Sequence, residues 1–135
     1  MTCLLNPYTN VASDAYREAE VLAASPGRLL VITFDALIVS LTRARVGMTM
    51  QNQDIVLASL DKSRGFLGEL LAALDYKQGG DIAKQLGALY SFLLGELMGM
   101  GVNQNVKKLE RITNIVRELR DAFAQIAVGS RREVA

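Results

Sequence analysis

The distribution of proline constrains the fold of this chain more than any other feature. Pro7 and Pro26 are the only prolines among the 135 residues. About a hundred residues after Pro26 therefore lack the residue that interrupts helices most strongly. Ser25 is suited to cap a helix, because its hydroxyl can accept a bond from a first-turn amide. Pro26 then falls at the first helical position, where its missing N–H costs nothing.

Apolar residues recur at three- and four-residue steps in four separate stretches, which is the spacing of amphipathic helices. The predicted helices run over residues 26–46, 53–76, 81–100 and 104–127. Gly47 is predicted to end the first of them. Short connections between helices of this length predict an all-α protein, an antiparallel four-helix bundle preceded by a short N-terminal leader.

Polar residues and glycines mark the other predicted boundaries. Asn52 is predicted to cap the second helix through its side-chain oxygen. Gly79 is predicted to end that helix in a left-handed conformation, so that helices two and three form a hairpin. The chain then divides into a leader at 1–24, a bundle at 25–128 and a frayed tail at 129–135.

The apolar rows of the last two helices are regular enough to predict which residues face the core. The row on the third helix comprises Ile82, Leu86, Leu89, Leu93, Leu97 and Met100. The row on the fourth helix comprises Leu109, Ile112, Val116, Leu119, Phe123 and Ile126.

Composition excludes several classes of function. Lysine and arginine number 15 against 14 aspartate and glutamate, which is not the basic excess of a nucleic-acid-binding protein. The chain has no histidine, so the usual zinc, haem and di-iron ligands are missing and the single cysteine, Cys3, has no histidine base. The N-terminus lacks a signal-peptide pattern, and no apolar run is long enough to cross a bilayer. We therefore expect a cytoplasmic protein without metal, cofactor, nucleic-acid partner or membrane insertion.

Catalytic residues are not assigned, because the sequence shows no nucleophile paired with a base. Asp35 lies among apolar residues of the first helix and is interpreted as a satisfied or groove-lining carboxylate rather than a perturbed one. Glu96 is placed at the rim of the third helix's apolar stripe. Gly79 and Gly80 lack the lysine and hydroxyl residue of a phosphate-binding loop.

Helices two and three carry more apolar residues than one buried stripe requires. Two explanations remain open: the apolar leader covers the surplus permanently, or a partner segment binds it, and both hold if binding displaces the leader. Tyr16 is predicted to belong to that cover. The residues predicted to contact a partner are Ile55, Phe66, Leu70, Ala73, Tyr90 and Leu94.

An ordered set of short motifs extends over about residues 16 to 125. A tyrosine, a valine, Ala-Ser-Pro, a leucine pair and an aromatic-Asp element occur at Tyr16, Val21, Ala24–Pro26, Leu29–Leu30 and Phe34–Ala36. Later elements occur at Leu74–Asp75, Gly79–Ala83, Leu89–Tyr90 and Leu119–Arg120, followed by Phe123. In order and spacing this set resembles the flagellar export chaperone family of the FliS type. Phe34 stands where that family has tyrosine, and Phe123 where tryptophan is common.

The resemblance implies a function as well as a fold. Family members bind the C-terminal segment of flagellin in the cytoplasm, prevent its premature polymerisation and aid flagellar type III secretion, with components of the export apparatus as further partners. It also implies that the segment around Tyr16 lies over part of the binding surface. The residues alone leave an alternative, a helical-bundle adaptor or oligomerisation module with another protein partner, and they leave the oligomeric state open.

Overall fold

A computed structural model describes the backbone of residues 26–134 and the side chains of residues 27–127. This part of the chain forms four helices, α1 (Pro26–Thr49), α2 (Gln53–Ala72), α3 (Tyr76–Gly99) and α4 (Val106–Val134). The predicted all-α fold is confirmed. The predictions for Ser25, as the helix cap, and for Tyr16 lie outside the described residues.

Helix α1 is the central element of the bundle, because it packs along both α2 and α4, whereas α3 packs mainly on α2. Ser40 in the middle of α1 meets Ser63 on α2 through a hydrogen bond of 2.7 Å between their hydroxyls. Gly47 near the end of α1 lies against Ile55 near the start of α2. The order of these contacts shows that α1 and α2 are antiparallel.

Three aromatic rings form the centre of the core at one end of the bundle. Phe34 is fully buried, and its ring centroid lies 5.4 Å from that of Phe123 and 6.3 Å from that of Tyr90. Phe34, Phe123 and Tyr90 come from α1, α4 and α3, respectively. The Phe34 ring therefore packs against residues of two other helices. The rest of the core is aliphatic and includes Leu37, Leu41, Val56, Leu60, Leu67, Leu93, Leu97, Leu109 and Val116.

Gly47 does not end α1, and that prediction was wrong. The helix continues to Thr49, and the next residues turn with Gln51 at a positive φ of 56°. A Cβ atom on Gly47 would lie 2.9 Å from Cγ2 of Ile55 and 3.0 Å from Cγ2 of Val56. The glycine therefore allows α1 and α2 to approach closely, which is a tertiary role that the local sequence does not reveal.

The boundary between α2 and α3 lies earlier than predicted. Helix α2 ends at Ala72 rather than Tyr76, because the Asp75 carboxylate accepts bonds from the Lys77 and Gln78 amides and starts α3. The positive φ of this region, 51°, occurs at Gly80 and not at Gly79. Gly80 thus permits a kink one turn into α3, where a residue with a side chain would be strained.

The remaining caps agree better with the sequence. The Asn52 side chain accepts a bond from the Ile55 amide, which confirms it as the cap of α2. Asn105 caps α4, because its side-chain oxygen accepts a hydrogen bond from the Lys108 amide. Helix α4 therefore begins at Val106 rather than at residue 104. Helix α4 extends to Val134, beyond its predicted end at Ala127.

Two glycine-to-alanine substitutions are expected to change stability in opposite directions. Gly68 lies inside α2 with open space around its Cα, so Gly68→Ala should raise the free energy of unfolding by about 0.5–1 kcal/mol through helix propensity. Gly47→Ala should lower it by about 1 kcal/mol or more, because overlap with Ile55 and Val56 outweighs the same propensity gain. Urea denaturation followed by circular dichroism measures both. Stabilisation by Gly47→Ala would contradict the close approach of α1 and α2.

Candidate functional site

An open apolar cavity lies at the end of the bundle where α1 and α3 begin and where α2 ends. Its volume is about 190 Å³. Its lining is almost entirely apolar and comprises Leu30, Leu70, Ala73, Leu74, Asp75, Gly79, Ile82, Ala83, Leu86, Tyr90 and Phe123. All four helices contribute, so the cavity exists only in the assembled bundle. It is smaller than the usual cavity for a drug-sized ligand and suits one or two apolar side chains of a bound polypeptide.

The cavity lies between α3 and α4 at one end of these two helices. Further along the two helices, Glu96 on α3 forms an ion pair with Lys108 on α4, and the paired carboxylate oxygen is buried. At the cavity end, the first member of the α3 row and the last member of the α4 row are exposed instead: Ile82 by 69% and Ile126 by 63%. Their predicted burial was wrong, because α3 packs mainly on α2 and makes little close contact with α4.

The structure brings together three of the residues predicted to contact a partner. Leu70, Ala73 and Tyr90 all line the cavity, although Leu70 and Tyr90 are core residues that are only 1% exposed. Partner contact at these three residues stays a prediction, and for Leu70 and Tyr90 it would be limited to the atoms that face the cavity. The burial of these two residues was not evident from the sequence, because both belong to wide apolar arcs.

The other predicted contact residues do not join the cavity. Ile55 is exposed at the start of α2, beside α1, and Phe66 is partly buried against the core. Leu94 is also half-buried against the core on α3. Partner contact at these residues stays a prediction. Sequence reasoning did not select Ile82, Leu74 or Phe123 for the site, since the apolar spacing placed all three in the rows expected to face the core.

Asp35 is satisfied by an ion pair, as the sequence suggested. Its Oδ1 accepts a bond of 2.8 Å from Nε of Arg120, so the pair joins α1 to α4. The hydrogen bond to Asp35 is the main cause that raises the pKa of Arg120 above its ordinary value. Both side chains are substantially exposed, so the pair contributes little to stability.

Tyr90, which lines the cavity, has a strongly raised pKa. Burial raises its pKa from 10.0 to about 12, because an ionised phenolate would lose hydration in this apolar setting. The folded state therefore favours the neutral phenol. This perturbation follows from burial alone and does not mark a catalytic group.

Alkaline pH should weaken the fold through Tyr90. The pKa of Tyr90 in the folded state lies above the value of 10.0 in the unfolded state. The stability that the neutral phenol contributes is therefore fully present below pH 10 and is lost as the pH rises toward 12. Over that window the free energy of unfolding should fall by up to about 1.4 kcal/mol per pH unit. Unfolding free energies of wild type and Tyr90→Phe, measured from pH 8 to pH 11.5, test it. Parallel pH profiles for the two proteins would contradict the assignment.

A second apolar surface runs along the outside of α1 and was not identified from the sequence. Here it is called the α1 seam. Its members recur at alternating three- and four-residue steps from Leu29 to Met50, so a search for that spacing on both faces of the helix would have found it. Exposed apolar members of the seam are Leu29 at 50%, Ile32 at 44%, Val39 at 49%, Val46 at 41% and Met50 at 65%.

Groups for metal binding or membrane crossing are not found between residues 26 and 134. No cluster of three or more metal-ligating side chains occurs among these residues. None of the four described helices is both long and apolar enough to traverse a bilayer. An apolar cavity and an exposed apolar seam on a helical bundle define the class, a small module that binds other polypeptides.

The comparisons with known proteins identify the family. The family model described as "Flagellar protein FliS" matches residues 8–130, so the chain belongs to the FliS family. The flagellar secretion chaperone FliS of Salmonella typhimurium is 28% identical over 127 residues, covering 89% of this chain and 93% of that protein. The protein of the same name from Vibrio cholerae is 27% identical, covering 90% of this chain and 87% of its own length.

A third relative supports the same conclusion. The flagellar secretion chaperone FliS of Escherichia coli is 28% identical and the match covers 80% of each chain. These names describe a chaperone in flagellum biogenesis and protein secretion, which is a non-enzymatic role. They agree with the prediction that the chain is not an enzyme.

Proposed function

We propose that this chain is a cytoplasmic export chaperone that binds the C-terminal segment of flagellin. By covering that segment it would prevent premature polymerisation and keep flagellin competent for flagellar type III secretion. The observation that carries the proposal is the open apolar cavity at one end of a bundle whose family is named for flagellar secretion chaperones.

The chemistry of the cavity fits an amphipathic segment better than a small polar ligand. Asp75 is the only charged residue in the lining, so apolar side chains of a partner would be the favoured occupants. The exposed Ile82 at the cavity rim extends this apolar contact along α3. A disordered segment that folds on such a surface gains apolar burial while it loses conformational entropy, and no nucleotide is needed.

Direct binding tests the proposal. A fluorescently labelled peptide of the C-terminal flagellin segment from the same organism is titrated with the full chain, and anisotropy is recorded. Saturable binding at micromolar concentration is expected, whereas a peptide of the same composition in scrambled order should not bind. If the native peptide shows no binding in this range, flagellin is not the partner.

Removing the leader is expected to change this affinity without unfolding the bundle. If residues 1–22 cover part of the binding surface, the truncated chain should bind the flagellin peptide more tightly and keep the circular dichroism spectrum of the full chain. The buried core among the described residues draws side chains from all four helices, so the fold should survive. Unfolding of the truncated chain would show that the leader belongs to the core, and the cover hypothesis would fail.

A further inference from the structure

The phenol hydroxyl of Tyr90 is the only side-chain hydrogen-bond donor in the described lining of the cavity. Asp75 contributes a carboxylate, which accepts hydrogen bonds, and the other lining residues have hydrocarbon side chains or are glycine. Burial raises the pKa of Tyr90 to about 12, so the phenol keeps its hydrogen at neutral pH. A polar group that enters the cavity can therefore meet one side-chain donor, and this donor is uncharged.

The hydroxyl of Tyr90 has no hydrogen-bond partner among the residues that the structure describes. Tyr90 is only 1% exposed, and its Oη is not one of the unbonded side-chain atoms that are closed off from solvent. The small exposed part of the residue therefore includes Oη. Because Tyr90 lines the cavity, this oxygen is in contact with the cavity space.

Packing fixes the position of this hydroxyl before a partner binds. The Tyr90 ring belongs to the buried core, and its centroid lies 6.3 Å from that of Phe34 on α1, with an angle of 59° between the ring planes. A ring enclosed in this way has few alternative rotamers. Little conformational entropy would be lost when Oη binds another group, so the hydroxyl is preorganised.

An occupant made only of hydrocarbon would match the walls of the cavity but not this hydroxyl. It would exclude water from Oη and leave the donor unpaired, which is unfavourable in an apolar setting. An occupant that brings an oxygen acceptor to Oη avoids this cost. A carboxylate fits poorly, because Asp75 in the same lining would repel it. An uncharged carbonyl oxygen satisfies both conditions.

We propose that the Tyr90 hydroxyl donates a hydrogen bond to an uncharged carbonyl oxygen of the bound segment and so fixes the position of that segment in the cavity. The inference rests on the proposed function, because it names one contact within the same site. A polypeptide has two sources of such an oxygen: a backbone carbonyl without a helical partner, as in the last turn of a helix, and the side chain of asparagine or glutamine. Tyr90 is thus a specificity-determining residue, since a segment without an acceptor at this point binds less tightly.

Removal of one oxygen atom tests the hydrogen bond. In the full chain, Tyr90→Phe should weaken binding of the labelled C-terminal flagellin peptide about tenfold, because the carbonyl loses its donor in an apolar site. The urea midpoint should not fall, since the hydroxyl has no partner within the described part of the fold. Equal or tighter binding by Tyr90→Phe would overturn the proposal while flagellin remains the partner.

Tyr76→Phe is the matched control, because it removes the same atom from the same helix. Tyr76 is 53% exposed and does not line the cavity. This variant should bind the peptide as tightly as wild type. A tenfold loss in both variants would show that the effect is not specific to the cavity, and the proposal would fail.

Altered peptides identify the source of the oxygen. Each asparagine or glutamine of the peptide is replaced in turn by leucine or methionine, and each backbone amide in turn by an ester, whose carbonyl is a weaker acceptor. The change that removes the acceptor should weaken binding to wild type but not to Tyr90→Phe, and its position tells side chain from backbone. If every altered peptide distinguishes the two proteins to the same extent, no single carbonyl is the acceptor and the proposal fails.

A small ligand tests the donor without flagellin. Cyclohexanone and methylenecyclohexane have nearly the same shape, but only the ketone has a carbonyl oxygen, and both are small enough for a cavity of about 190 Å³. In protein labelled with ¹³C at the tyrosine Cζ, millimolar cyclohexanone should shift the Tyr90 resonance more than methylenecyclohexane does. Tyr90→Phe identifies that resonance by its loss. Equal shifts would overturn the donor role. If the peptide fails to bind wild type, the proposed function fails, and this measurement alone decides the hydrogen bond.

Discussion

Phe34→Ala is expected to lower the free energy of unfolding by about 3–5 kcal/mol, the largest effect on stability of any substitution considered for this chain. Phe34 is fully buried and stacks on Phe123 while it contacts Tyr90. Its removal leaves a cavity among three helices that cannot collapse onto it together. Since small domains have only about 5–15 kcal/mol in total, this loss removes a large share of the protein's stability. Guanidinium denaturation followed by circular dichroism measures the loss.

Phe34→Leu is the control for this prediction. It keeps an apolar side chain at the site and should cost much less than the alanine variant, because the residual cavity is smaller. If Phe34→Ala loses no more than Phe34→Leu, the aromatic cluster is not the centre of the core.

Ile82→Asp is expected to weaken binding of the C-terminal flagellin segment at least about tenfold, because the new carboxylate would have to lose water in an apolar contact. Ile82 lines the cavity but is 69% exposed, so the unfolding free energy should change by less than about 0.5 kcal/mol. Anisotropy titration with the labelled peptide measures the affinity, and urea denaturation measures the stability.

Met98→Asp is the matched control on the same helix. Met98 is 65% exposed but does not line the cavity. It introduces the same charge in α3 and should leave the affinity unchanged. Equal affinities for Ile82→Asp and wild type would show that the partner binds elsewhere on the bundle, with flagellin still the partner.

Local sequence rules predicted most of the secondary structure because their causes are local. Pro26 begins α1 and Asn52 caps α2, as expected from hydrogen bonding within one turn. The regular spacing of Leu93, Leu97 and Val116 correctly placed them in the core. The boundary at Asp75 was missed although its cause is also local, because the nearby Gly79 and Gly80 offered a stronger turn signal.

The site was less predictable, because periodicity shows which residues share a helix face but not which faces meet. Ile82 continues the same row as Leu93 and Leu97, yet it is exposed while they are buried. Tyr90 and Leu70 were predicted to contact a partner; they line the cavity, but the sequence did not show that they are only 1% exposed. Only the packing of the helices in the assembled bundle distinguishes these cases.

The sequence by itself determined the helices, their approximate ends, most members of the core rows and the resemblance to the FliS family. These depend on residues within a few positions of one another or on ordered motifs along the chain. The tertiary structure decided three features: the close contact of α1 and α2 at Gly47, the cavity between α3 and α4, and the exposure of the α1 seam. Each of these depends on how far apart two helices pack, and that distance is set by side chains distant in the sequence.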